Sequence, residues 1–180
     1  MTTARILVAD DEKGMRELLA IILKGEGHTV TVAERGDQAL ELLRREPFDL
    51  VITDLRMPKA DGLEILKAVK DSTPETIVIM ISAFSSTESA VEALKLGAYD
   101  YITKPFKVDE VKVIIKNALE QKRLLGENIR LQSLVAMFQN RCEGIIAKSQ
   151  GMREVFETVQ KIARTSSTVM ITGESGTGKE

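Results

Sequence analysis

Between Arg5 and Asp109 five short aliphatic or β-branched runs alternate with amphipathic stretches of helical period, and few folds accommodate that alternation. The runs cover residues 5–9, 28–33, 50–53, 77–82 and 99–103. The helical patterns between them cover 15–24, 37–45, 62–70 and 87–96, and a further helix starts near Val108. Gly25 and Gly97 stand where left-handed helix C-caps are wanted, and Pro74 and Pro105 interrupt helical continuity beside a strand. The pattern predicts an α/β domain, a (βα)5 doubly wound parallel sheet covered by helices.

Beyond Val108 the helical pattern runs on toward Asn140, with Gly126 as its one weak point. Apolar residues recur at three-and-four spacing through Val108, Val111, Ile115, Ala118, Leu125 and Ile129, and Lys122 interrupts them. This predicts a linker helix able to pair in a dimer; the alternative is a connector whose apolar face packs back on its own domain. A new pattern of turn, helix, strand and glycine-rich loop begins after Gly144. The expected division is therefore a domain over 1–120, a helical linker over 121–143 and the start of a second domain over 144–180.

Composition narrows the function. A net charge of −2 gives no global basic excess for non-specific nucleic-acid binding, so any DNA contact is expected from outside this chain. No run reaches membrane-spanning length and the start does not read as a secretory signal, which predicts a cytoplasmic protein without membrane contact. Cys142 and His28 are the sole cysteine and histidine; both are expected to be structural, and neither an internal disulfide nor a Cys/His zinc site can form.

The acidic residues carry the chemistry. Asp10 and Asp11 follow the first apolar run and Asp54 the third, which places all three at the carboxyl ends of predicted strands. Two carboxylates about 4 Å apart repel by roughly 4 kcal/mol at an effective dielectric near 20, so three together call for a cation. Few, oxygen-only, water-accessible ligands suit Mg2+. Lys104 and Ser82 fall at the same predicted edge of the sheet. Taken singly, each has a plainer role: helix cap, turn residue or surface lysine. Together they supply a carboxylate nucleophile, a cation site, an ammonium and a hydroxyl, the parts needed for phosphoryl transfer to Asp54.

The segments LVADDE, VITDLRMPKADG, MISAF and YITKPF resemble the receiver domain of two-component response regulators, over about residues 5–119. The resemblance implies the flavodoxin-like strand order 2-1-3-4-5. It also implies that Asp54 is the phosphoacceptor, that Asp10 and Asp11 form the acidic magnesium pair, and that the backbone carbonyl of Arg56 is a further ligand. Ser82 matches the hydroxyl that turns toward the phosphoryl group, and Lys104 the lysine that binds it. Tyr101 matches the aromatic switch residue, and Pro105 the proline preceded by a cis bond. The implied phosphodonor is a sensor histidine kinase. The face made by the helix from Thr87, the fifth strand and the helix from Val108 is then expected to change partner on phosphorylation, and it offers a second route to a homodimer.

At the chain's end, TVMITGESGTGKE sets a predicted strand before Gly173, Gly176, Gly178 and Lys179, spaced as in the phosphate-binding loop GxxxxGK. Glu180 stands where a Ser or Thr metal ligand is usual. In the AAA+ domain of NtrC-type activators, which work with sigma-54 RNA polymerase, GESGTGKE is the usual form, and the segment is similar to the start of that domain. ATP binding is thus expected only of an intact parent protein, and no ATP hydrolysis of this chain. Rival functions fit less well. A haloacid-dehalogenase-type phosphatase needs an aspartate at position 56, which is arginine. An NTPase needs further catalytic parts, and an acidic rim repels a flavin phosphate.

Overall fold

The computed structural model describes residues 3–83, 87–139, 149–163, 168–170, 172 and 173. The elements run β1 (Arg5–Ala9), α1 (Lys13–Gly25), β2 (Thr29–Ala33), α2 (Gly36–Arg45), β3 (Leu50–Asp54), α3 (Gly62–Ser72), β4 (Ile77–Ser82), α4 (Thr87–Lys95), β5 (Asp100–Thr103), α5 (Val108–Gln139) and α6 (Gln150–Ile162). The strands form one parallel sheet, as their pattern predicts, in the order β2-β1-β3-β4-β5 that the family resemblance implies.

Side chains alternate across the strands and fill two apolar layers. Ile6, Val8, Leu50, Ile52, Ile79 and Ile81 pack with Leu19 and Leu23 of α1 and Val111, Ile115 and Ala118 of α5. Leu7, Val51, Val78 and Met80 pack on the other side with Ala39 of α2, Ile65, Leu66 and Val69 of α3, and Ala93 of α4. Every residue of β3 is buried. The strand that ends in Asp54 is therefore the best anchored in the sheet.

One expected cap moves. Gly25 is the last residue of α1, and Gly27 takes the left-handed conformation at φ +87°. There the N–H groups of Gly27 and His28 donate to the carbonyls of Lys24 (3.0 Å) and Leu23 (3.1 Å), a Schellman closure. The segment Gly25–Glu–Gly27 offers two glycines, and with the later one as the cap the helix runs two residues further. Gly97 closes α4 in the same way, at φ +96°. His28 is structural as expected, its Nδ1 accepting from the Ala4 N–H at 3.3 Å. Cys142 lies outside the described residues.

The seam on α5 divides at Lys122. Val111, Ile115 and Ala118 belong to the core of their own domain, which is the packed-back alternative. Leu124, Leu125, Ile129 and Leu131 are exposed. Lys122 interrupts the apolar spacing because its ammonium pairs with Asp49 at 2.9 Å.

The chain forms two compact units, Met1–Arg130 and Leu131–Glu180. In the second, Ser149 caps α6 by accepting from the Met152 N–H. The strand expected before the glycine-rich loop is not formed at residues 168–170, 172 and 173. A strand exists only through a ladder with a neighbour, and among the described residues the one sheet consists of β1 to β5.

Candidate functional site

The register of β1 against β3 sets Ala9 opposite Thr53, so Asp10 and Asp54 emerge side by side. This is the point where the strand order reverses. The chain leaves β1 for the layer of α1 and leaves β3 for the layer of α3, opening a crevice at the carboxyl ends of the strands. Oxygens of Asp10, Asp11 and Asp54 lie within 4.8 Å of one another there. Asp10 and Asp54 are buried and Asp11 is exposed.

Lys104, just past β5, reaches into the same crevice with its side chain only 13% exposed. Its backbone N–H donates to the Ser82 carbonyl at 2.8 Å, which fixes its root. Its ammonium donates to Asp10 Oδ2 at 2.8 Å and stands 3.9 Å from Asp54 Oδ1 and 4.0 Å from Glu12. The lysine thus leans on Asp10 rather than on Asp54. Asp10 Oδ1 accepts from the Glu12 N–H (2.8 Å), and Asp54 Oδ1 from the Leu55 N–H (2.9 Å).

One ammonium among three carboxylates leaves the crevice short of positive charge. Burial pushes the Asp54 carboxyl up to about 6; Lys104 opposes the shift, and the charges of Asp10 and Asp11 add to it. At neutral pH Asp54 is mainly the carboxylate, the form that can act as a nucleophile. The donor set consists of carboxylate oxygens with water access through Asp11, which fits Mg2+ and offers nothing to a softer metal.

Ser82 ends β4, buried, one residue beyond the register partner of Asp54. Tyr101 lies on β5 opposite Met80, half-buried against the α3 and α4 layer. The Lys104–Pro105 peptide is cis. Arg56 is exposed in the loop after β3. Gly173 is exposed and in no regular element, while Gly176, Gly178, Lys179 and Glu180 lie outside the described residues.

The site rests on further residues that the sequence patterns did not single out. A Cβ on Gly62 would stand 2.2 Å from the Asp54 carbonyl oxygen, so glycine alone lets α3 start against the end of β3. A Cβ on Gly36 would meet the Ala60 carbonyl oxygen at 1.9 Å, and the Gly36 N–H donates to the Pro58 carbonyl. Asp61 and Glu64 form a capping box on α3, with bonds of 2.8 and 2.9 Å; the spacing D-x-x-E was its signal. Arg16 of α1 donates to the carbonyls of both Asp10 and Asp11. An arginine one turn into the helix that follows an acidic pair is the trace it leaves in the sequence.

Comparison with known proteins agrees with this geometry. Residues 6–116 match the family described as "Response regulator receiver domain", and residues 145–180 match "Sigma-54 interaction domain". The transcriptional regulatory protein ZraR of Klebsiella oxytoca is 41% identical over 175 residues, covering 97% of this chain and 38% of ZraR. Among solved structures, NtrX from Brucella abortus aligns with a TM-score of 0.68 and 37% identity, over 99% of this chain and 39% of NtrX, which has also been solved with ADP. The beryllofluoride-activated NtrC4 receiver domain dimer aligns with a TM-score of 0.63 and 34% identity, over 66% of this chain and 98% of that one. The chain thus spans about two fifths of its longer relatives. With that sheet order, that acidic crevice and that match over residues 6–116, the chain belongs to the response regulator receiver family, and it continues into the start of a sigma-54 interaction domain of the NtrC type.

Proposed function

We propose that this chain is the phosphorylatable switch of a cytoplasmic two-component system, with Asp54 as phosphoacceptor. The observation that carries the reading is the convergence of Asp10, Asp11, Asp54 and Lys104 in one crevice at the strand ends. Asp10, Asp11, Asp54 and the backbone carbonyl of Arg56 would hold Mg2+, which supplies positive charge to the phosphoryl oxygens. An Asp54 oxygen attacks phosphorus as the P–N bond of a sensor kinase's phosphohistidine breaks; the imidazole leaves and regains its proton from water. Lys104 exchanges its bond to Asp10 for a phosphoryl oxygen, and Ser82 donates its hydroxyl to another. The added charge draws Ser82 inward, Tyr101 follows, and the α4–β5–α5 face changes partner.

In the whole protein this switch governs a sigma-54-activating AAA+ ATPase and thereby transcription, with DNA bound by a further domain. The ADP complex of NtrX supports nucleotide binding by the completed loop at Gly173, Gly176, Gly178 and Lys179. The NtrC4 receiver dimer supports a homodimer. This chain alone is expected not to turn over ATP; turnover lost on Lys179→Ala would contradict that.

The test is incubation with a small acyl phosphate and Mg2+, read by intact mass. One phosphoryl adduct is expected, and none when a chelator is present from the start or in Asp54→Asn. An adduct that forms under either condition overturns the assignment.

A further inference from the structure

We infer that Arg16 is a positioning residue for the cation site, holding the two peptide groups of Asp10 and Asp11 so that both carboxylates face the crevice. The inference rests on the Mg2+ reading above. Arg16 lies near the start of α1, where its N–H donates to the Glu12 carbonyl, and its side chain is only 13% exposed. From there Nη1 donates to the Asp10 carbonyl at 2.7 Å and to the Asp11 carbonyl at 2.9 Å. Nη2 stands 3.9 Å from Glu34, which follows β2.

Each peptide group is planar, so holding both carbonyls sets the orientation of the planes on either side of the Asp11 Cα. The carbonyls are thereby committed to α1, while the carboxylates gather with Asp54 and Lys104. Asp10 is packed and bonded, but Asp11 is exposed and needs its backbone held if its carboxylate is to stay in place. Mg2+ tolerates little departure from octahedral geometry, so ligand orientation enters its affinity directly. Groups that orient metal ligands without touching the metal typically change affinity by about 10–100-fold. A guanidinium suits the task because one nitrogen bridges two carbonyls and another remains for Glu34, a division that a single ammonium cannot reproduce.

The experiment is a calorimetric Mg2+ titration of the wild type, Arg16→Met, Arg16→Lys and Asp54→Asn, with phosphoryl acceptance from a small acyl phosphate measured at low and saturating Mg2+. Arg16→Met should weaken Mg2+ binding by about 10-fold or more. Arg16→Lys should recover part of that loss, and acceptance by Arg16→Met should approach the wild type once Mg2+ saturates. A folded Arg16→Met that binds Mg2+ within about twofold of the wild type overturns the inference, as does a loss of acceptance that saturating Mg2+ does not repair. If Arg16→Met does not fold, Arg16→Gln is read by the same two criteria, since it keeps a donor but not the bridge. A wild type whose Mg2+ binding is absent, or is unchanged by Asp54→Asn, removes the cation-site reading itself and Arg16's role with it.

Discussion

At the residue scale, the crevice is held in an electrostatic tension between buried carboxylates that a bound cation would relieve. Asp54 has a raised folded-state pKa of about 6, mainly through burial. The native state therefore holds its proton more tightly than the unfolded chain does, and without Mg2+ the stability tied to Asp54 falls as pH rises from about 4 through about 6. Asp54→Asn should accordingly stabilise the metal-free protein at pH 7.5, by on the order of 1–2 kcal/mol, and much less at pH 4. Urea denaturation at the two pH values checks this. Lys104→Met should tighten Mg2+ binding, because the ammonium on Asp10 no longer competes, yet slow acceptance by about 100-fold; calorimetry and timed intact-mass labelling separate the two effects. The placement of Asp10, Asp11, Asp54, Ser82 and Lys104 at the strand ends was legible because each ends or follows an apolar run and a parallel sheet brings such ends together. That Lys104 bonds to Asp10 rather than Asp54 was not legible, since it depends on ångström differences between strand ends. Arg16 escaped notice because its partners are backbone carbonyls, so its place one turn into α1 after the acidic pair is the one trace it leaves in the sequence.

At the scale of elements, two contacts fix how helices meet the sheet. Gly62→Ala sets a methyl group against the Asp54 carbonyl oxygen, which is backbone, and against the terminal methyl of Met80. The substitution should cost roughly 2 kcal/mol or more in chemical denaturation and weaken Mg2+ binding, because α3 can only move by displacing the end of β3. At the opposite end of the sheet, Lys122 of α5 meets the Asp49 carboxylate at 2.9 Å, and the Arg5 N–H donates to the same carboxylate. Burial tends to raise the Asp49 carboxyl, but these bonds outweigh it and hold it below the usual range. The stability from Asp49 is therefore present above the ordinary aspartate pKa and is lost as pH falls through its depressed value. Lys122→Met should cost about 0.5–1 kcal/mol at neutral pH, the pair being partly exposed, and less in acid. Strand and helix positions followed from period and capping signals. The division of the α5 seam did not, because three-and-four spacing is the same whether the face packs on its own sheet or on a second helix.

At the scale of the whole molecule, α5 leaves the receiver with Leu124, Leu125, Ile129 and Leu131 exposed. A second copy of the same helix would cover these residues, in keeping with the proposed homodimer. Leu125→Arg with Ile129→Arg should abolish self-association in sedimentation, while the receiver's denaturation midpoint stays unchanged because neither side chain enters its core. The proposed output lies with the sigma-54 interaction domain that residues 145–180 match, so the account stands on Asp54 itself. Borohydride reduces an aspartyl phosphate to homoserine, which peptide mass mapping locates in the chain. After treatment with a small acyl phosphate and Mg2+, the account predicts homoserine at position 54 and nowhere else. Homoserine at Asp10 or Asp11, or none in a protein carrying one phosphoryl group, would contradict it.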